Sequence, residues 1–295
     1  MATRPTPSWL FALTGTPYGA SGAFLGIIMP YLAKRSGADL DAISWYVTLL
    51  FVPSFLQFTY APIVDFGPRR KHWLVLLSVI GAIALFAALQ LDIHDQTGTF
   101  LGVALVAQFA TSLVGSCNGG LMATTMTDAQ RGKAGGWYNV GNLAGGGLAA
   151  ALAIYLTGHG YTSETVGGVL ALMMVAPALA ALTIDEPARA TTETTFGQAI
   201  VKVWREVGDV LLSRSGLTGA LLCLSPVGTA ALANYFSAIA DEYVRHDLAG
   251  TLAAMPVDQA KAFLDEKVAD VVAFVTGPVG QILTTIGAVV GGFLC

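Results

Sequence analysis

One carboxylate and three bases face each other across a short turn. Asp65 closes an apolar run, and Arg69, Arg70 and Lys71 follow it after Phe66-Gly67-Pro68. A carboxylate brought back onto guanidinium groups forms charge-assisted hydrogen bonds, shorter and stronger than neutral ones. Such a pair suits a reversible tie between helix ends. A second basic run, Arg131-Gly132-Lys133, lies between two later apolar stretches. Any loop on the cytoplasmic face of a membrane gathers Lys and Arg, which accounts for the bases but not for the placement of Asp65.

Other polar residues sit inside apolar runs, where they cost energy and usually turn toward a helix-bundle interior. These are Thr14, Tyr18 and Ser21; Gln57 and Tyr60; Gln108, Ser112 and Asn118; Tyr138, Asn139 and Asn142; and later Asn234, Tyr235 and Gln281. They can anchor a solute, or each can be satisfied by a neighbouring helix. Nothing among them resembles a nucleophile with its base. His72, His94, His159 and His246 are scattered over different loops, so no general acid–base pair or triad is expected. Cys117, Cys223 and Cys295 lack metal-ligand spacing and read as small apolar filler. Neither an enzyme nor any metal or cofactor is expected.

The elements that position these residues follow from composition. Hydrophobic residues make up 54% of the 295, charged residues only 12%, and the mean hydropathy is +0.65. Soluble domains carry about 25% charged residues, so much of this surface must face something other than water. The net charge of -4 and the lack of a long basic tract give nucleic acid nothing to bind. Eight apolar stretches of roughly 19 to 25 residues can each cross a hydrocarbon core. They run over about 9–33, 42–64, 73–91, 99–124, 134–157, 165–184, 216–240 and 271–295, with no acid or base in any interior. Continuous apolarity excludes a β-barrel, whose strands alternate. With the N-terminus in the cytoplasm, ten Lys and Arg fall inside and five outside: Lys34, Arg35, Arg245, Lys261 and Lys267. The positive-inside rule therefore predicts a cytoplasmic N-terminus in a multi-pass inner-membrane protein.

Two segments break the rhythm of short loops. Residues 185–215 form a polar connector ending in an expected surface helix near 196–212. In the outer segment 241–270, Leu252, Val257, Ala260, Phe263, Leu264 and Val268 recur at near-helical spacing. That predicts an amphipathic helix, lying on the membrane surface, over a pore mouth, or simply in solvent. Gly15, Gly19, Gly22 and Gly26 share one face of the first span, and Gly141 and Gly145, followed by Gly146 and Gly147, repeat the spacing in the fifth. Small residues so spaced let backbones approach, either for tight packing alone or as a smooth seam across which spans one and five slide or rock against each other. The sequence stops within an apolar run at Gly291-Gly292-Phe293-Leu294-Cys295, and a C-terminally shortened chain is the expectation.

Six spans, a long connector and further spans, with Ala61-Pro62-Ile63-Val64-Asp65-Phe66-Gly67-Pro68-Arg69-Arg70-Lys71 between spans two and three, resemble the major facilitator superfamily. Arg131-Gly132-Lys133-Ala134-Gly135-Gly136 is similar to its pattern between spans four and five. Ala61 and Pro68 stand where that family commonly has glycine. Within the family, Pro62-Ile63-Val64-Asp65 with Arg69 to Leu74, Gly15-Thr16-Pro17 and Pro53 resemble the muropeptide permease and acetyl-coenzyme A transporter branch, although Gln57 replaces a lysine expected in span two.

The resemblance implies an all-α membrane bundle of the major facilitator type, with eight of twelve helices present. Residues 1–184 would form a six-helix bundle, 185–215 the cytoplasmic connector, and 216–295 the first two helices of an incomplete second bundle. It implies secondary transport of a small organic solute by alternating access; a transport-inactive receptor or scaffold derived from such a fold is the alternative. Spans one, four and seven line the cavity in that fold, so Tyr18, Gln108, Ser112 and Asn234 are the leading solute-binding candidates, with Asn139 and Asn142 beside them. Asp65, Arg69, Arg70 and Arg131 are the candidate conformational latch. The expected partners are the solute and the lipid bilayer. A coupling proton stays open, because no span holds a carboxylate or histidine at mid-depth. Its carrier would lie in further helices or at span ends (Asp41, Asp65, Asp241, Glu242), or transport is uncoupled.

Overall fold

A computed structural model describes residues 6–188 and 242–275, with a few short stretches between 197 and 213. Every regular element among the described residues is helical. The seventh predicted span, most of the eighth, most of the connector and Asn234 lie outside the described residues.

The first span is α1 (Leu10–Ala23), a π-helical turn (Phe24–Ile28) and α2 (Met29–Arg35), one continuous helical path. Then come α3 (Leu40–Tyr60) with a 3-10 turn (Ala61–Asp65), α4 (Arg70–Leu89), α5 (Thr97–Thr125), α6 (Asp128–Gly158) and α7 (Ser163–Ala178) with a 3-10 turn (Leu179–Thr183). Among the described residues five helices, Leu40–Asp65, Arg70–Leu89, Thr97–Thr125, Asp128–Gly158 and Ser163–Thr183, are long and apolar enough to cross a membrane. These agree with predicted spans two to six, and the interrupted Leu10–Arg35 path supplies the first.

Local chemistry sets most boundaries. Asp39 caps α3 by accepting from the Ala42 N–H at 2.7 Å. Thr127 and Gln130 form a capping box on α6, and Thr162 accepts from the Thr165 N–H to cap α7. Gly67 has φ +74°, a left-handed conformation that glycine adopts without a Cβ penalty. It carries the reversal between Asp65 and α4 that Pro68 cannot. Between α4 and α5, the Asp92 carboxylate accepts from the backbone N–H groups of Asp95 and His94, and these bonds hold it below the ordinary carboxylate range.

The spans interlock into one packed body. Helix α1 lies chiefly along α6, α4 fits between α5 and α7, and α3 rests on α5. One apolar cluster gathers Phe24, Leu25, Ile28, Ile43, Leu50, Leu85 and Phe100. A second, nearer Asp65, gathers Phe11, Val64, Leu74, Val114, Cys117 and Leu121. Along α1, α4 and α5 the boundary between them carries Thr14, Ser78 and Gln108, all buried. The outer surface is apolar as well: Phe55, Leu172 and Ile83 are 73%, 66% and 63% exposed. So wide an apolar face is a surface for lipid.

Toward the C-terminal side, α8 (Ala249–Ala253) and α9 (Val257–Phe274) cover 249–274. Helix α9 is amphipathic as predicted, but it is not merely a helix in solvent. Leu264, Val268, Ala269 and Val272 pack with Tyr31 and Ile154, so its apolar face is docked on the ends of the first and fifth spans. Gly158 makes the approach possible, because a Cβ there would overlap the Ala269 methyl.

Candidate functional site

The turn after α3 brings Asp65 to Arg70. The Arg70 Nε donates to Asp65 Oδ1 at 2.9 Å, and its Nη2 bonds the same oxygen. The guanidinium lies against Gly120 of α5, where an added Cβ would meet Nε at 2.5 Å and Cδ at 2.6 Å. Span four thus leaves a glycine-sized gap for the ion pair of the preceding loop.

The other two latch candidates are not joined to Asp65. Arg131 pairs with Asp128 at 2.7 Å and donates to the Ala123 carbonyl at 3.2 Å, tying α6 to the end of α5. Arg69 is exposed at the start of α4, with no side-chain bond among the described residues.

Glu186, part of the polar connector in the sequence, belongs to this cluster. Helix α4 has no side-chain cap of its own at Arg69. Instead the buried Glu186 carboxylate accepts from the backbone N–H groups of Arg70 at 3.0 Å and Lys71 at 3.1 Å. In return the Lys71 ammonium donates to the Ile184 carbonyl at 2.9 Å. An anion at the start of α4 and a cation at the end of the sixth span each satisfy exposed backbone groups and complement a helix dipole. The sequence signal was α4 opening on Arg69-Arg70-Lys71 with no Ser, Thr, Asp or Asn cap. Glu186→Ala is expected to lower the melting temperature of the purified protein, at a cost of about 1–3 kcal/mol for buried donors left unpaired. Glu186→Gln, which keeps one acceptor, should lose less. Identical melting of the Ala variant and the parent would refute this cap.

Above the ion pair, polar groups connect spans one, two and four. Gln57 Nε2 donates to the Ser112 carbonyl at 2.8 Å and to Ser116 Oγ at 2.7 Å. Ser54 and Ser112 hydroxyls are 3.4 Å apart. Gln108, 3% exposed, donates to the Ser21 carbonyl at 3.4 Å, and Ser21 pairs with Thr111 at 2.8 Å. Asn118 donates to the Thr14 carbonyl at 2.8 Å, while its Oδ1 has no partner among the described residues. Half-buried Tyr18 and Tyr138 approach each other beside Gly115, whose built Cβ would lie 3.5 Å from the Tyr18 ring and 3.7 Å from the Tyr138 hydroxyl.

The predicted binding residues therefore divide. Tyr18, like Gln57 and Tyr138, stays partly exposed, whereas Ser112, 1% exposed, and Gln108 are spent inside the packing. Asn139 is exposed, and Asn142 offers its backbone to α1 at Gly19. The glycine seam is likewise selective. Gly15, Gly19, Gly141, Gly145 and Gly146 lie in the α1–α6 crossing, but Gly22 is exposed with open space around it.

No metal-holding group of His, Cys, Asp or Glu occurs among the described residues. No curated protein matches the chain. The family model described as Major Facilitator Superfamily matches residues 11–295. The match spans nearly all of a chain whose helices are long and apolar enough to cross a membrane, and the chain belongs to the major facilitator superfamily.

Proposed function

We propose that this chain moves a small organic solute across the inner membrane by alternating access, with its N-terminus in the cytoplasm. Its family is one of membrane transporters, and its multi-pass apolar helices suit that role. In this reading residues 1–184 are one rocking half, 185–215 the connector, and 216–295 belong to the other half. Tyr18, Gln57 and Tyr138 contribute the solute-facing surface of the first half, with the buried Ser112 behind them bonded to Gln57, and Asn234 of the seventh span would face them. Asp65 and Arg70 form the latch, with Glu186 fixing the start of the helix that carries Arg70.

One observation carries the reading. The Arg70 guanidinium is bonded to Asp65 and seated on Gly120 of span four, so one ion pair joins the loop to the helix that bears Ser112 and Ser116. A change at the polar face can thereby bias the latch through a single rigid element. The resemblance to the muropeptide permease and acetyl-coenzyme A transporter branch selects the first solutes to try.

The test is uptake by proteoliposomes of the full chain, with a labelled muropeptide and acetyl-coenzyme A in separate assays. Concentrative or counterflow uptake above protein-free liposomes is the expected result. Binding without uptake would overturn transport and favour a receptor. Gln57→Leu removes two bonds to span four, each worth about 0.5–1.5 kcal/mol. The KM for the transported solute should then rise roughly three- to tenfold. A lowered melting temperature with unchanged KM would assign Gln57 to packing alone.

A further inference from the structure

Five Lys and Arg of the 15 lie outside the basic cytoplasmic segments in the orientation above, in two groups far apart in sequence: the adjacent Lys34 and Arg35, and Arg245, Lys261 and Lys267. Four of the five, Lys34, Arg35, Arg245 and Lys261, line one open cavity of about 500 Å³ between α2 and the docked α9, with Asp265 the single acid among its lining residues. The chain as a whole has a formal charge of -4, so convergence of four cations runs against its average. Clustered like charges repel in the empty state, and an arrangement of this kind stabilises a bound anion.

The four cations are not equivalent. Arg35 is held in place, donating to Asp265 at 3.0 Å, the Tyr31 hydroxyl at 3.1 Å and the Thr157 carbonyl at 3.3 Å. Lys34 and Lys261 have no side-chain hydrogen bond or ion pair among the described residues. Two ammonium groups with their donors uncommitted among the described residues, beside a guanidinium tied to Asp265, suit a tetrahedral oxyanion, which can accept from several directions. The cavity is larger than a bare anion needs and falls in the range of organic-ligand pockets. Leu252, Leu264 and Val268 give its remaining wall an apolar character.

We propose that this cavity is a binding site for the phosphate group of an amphipathic phosphate ester, at the membrane face opposite the Asp65–Arg70 pair. The phosphate would lie at Lys34 and Lys261, and the apolar part against the α9 wall. A phospholipid headgroup and a free organophosphate present the same chemistry there.

The test uses the full chain in nanodiscs of phosphatidylcholine alone or with added phosphatidylglycerol. Melting is followed as inorganic phosphate is titrated, for the parent, the double variant Lys34→Gln/Lys261→Gln and the control Lys267→Gln. Lys267 pairs with Asp270 at 3.6 Å and is not a lining residue. Phosphate stabilisation in phosphatidylcholine, with a midpoint weakened about fivefold or more in the double variant only, is expected if a free ester is the ligand. Stabilisation confined to phosphatidylglycerol nanodiscs and lost in the double variant assigns a lipid headgroup. No stabilisation in either membrane overturns the site. A phosphate effect of equal size in parent and double variant also overturns it, since phosphate stabilises many proteins by exclusion from their surface.

Discussion

Gly19→Ala and Gly141→Ala are each expected to destabilise the protein by about 1–3 kcal/mol, the usual cost of overpacking, while Gly22→Ala leaves it intact. The reason is backbone contact. A Cβ on Gly19 would fall inside the Asn142 carbonyl, and one on Gly141 inside the Ala12 carbonyl. Neither neighbour is the yielding tip of a long side chain, so α1 and α6 must move apart as rigid bodies. That movement would also strip contacts at Gly15, where Tyr138 O lies 2.8 Å from a built Cβ, and at Gly146, where Gly19 O lies 2.7 Å away. Lipid supplies no hydrophobic force between helices, so close van der Waals packing carries the association. The loss is therefore not recovered elsewhere. Gly22 has nothing within 4 Å of the added carbon, and alanine there gains about 1 kcal/mol of helix propensity. Thermal melts and size-exclusion profiles in detergent distinguish the variants. If Gly141→Ala melts with the parent, the crossing is not what holds the two spans together.

The same seam shows how far the sequence could be read. The spacing of Gly15, Gly19 and Gly22 on one side, and of Gly141 and Gly145 on the other, identified two faces able to approach closely. It also pointed to spans one and five meeting across these faces, which the α1–α6 crossing matches, but not to Gly22 being rotated out of the contact, because helix rotation is set by tertiary packing. Spans two to six were legible because twenty apolar residues in a row have few other uses. The first span was legible as a run, but its π turn at Phe24–Ile28 follows from local packing that periodicity does not encode.

The ion pair was legible at Asp65 and Arg70, which lie five residues apart across a turn. The partners of distant origin were not. Glu186 reaches the N-terminus of α4 across more than a hundred residues, and only the missing local cap hinted at it. Arg131 was a latch candidate because Arg131-Gly132-Lys133 is similar to the family's pattern between spans four and five; in the structure it pairs with Asp128, one turn away. Gln108 is a similar case: a polar residue in a span signals a polar neighbour, and that neighbour is the Ser21 carbonyl.

Charge reversal at Asp65 should separate a conformational role from a structural one. The pair is partly exposed, with side-chain exposures of 20% for Arg70 and 50% for Asp65. Ion pairs in such settings contribute about 0–1 kcal/mol to stability, so Asp65→Arg is expected to reach the membrane and melt near the parent. Transport is the sensitive quantity. If the pair exists in one conformation of the cycle and breaks in the other, its whole free energy falls on the equilibrium between them. Replacing attraction by repulsion shifts that equilibrium by about 1–2 kcal/mol, or roughly five- to thirtyfold. Uptake by proteoliposomes should fall by about that factor in Asp65→Arg, less in Asp65→Asn, and least in Asp65→Glu, which can still reach Arg70. Gly120→Ala should resemble the Asn variant, because its methyl group displaces the guanidinium without touching a charge. This graded series would not arise from a loop that is basic only to fix membrane orientation: there, losing one carboxylate would leave uptake unchanged, and such a result would remove Asp65 and Arg70 from the mechanism.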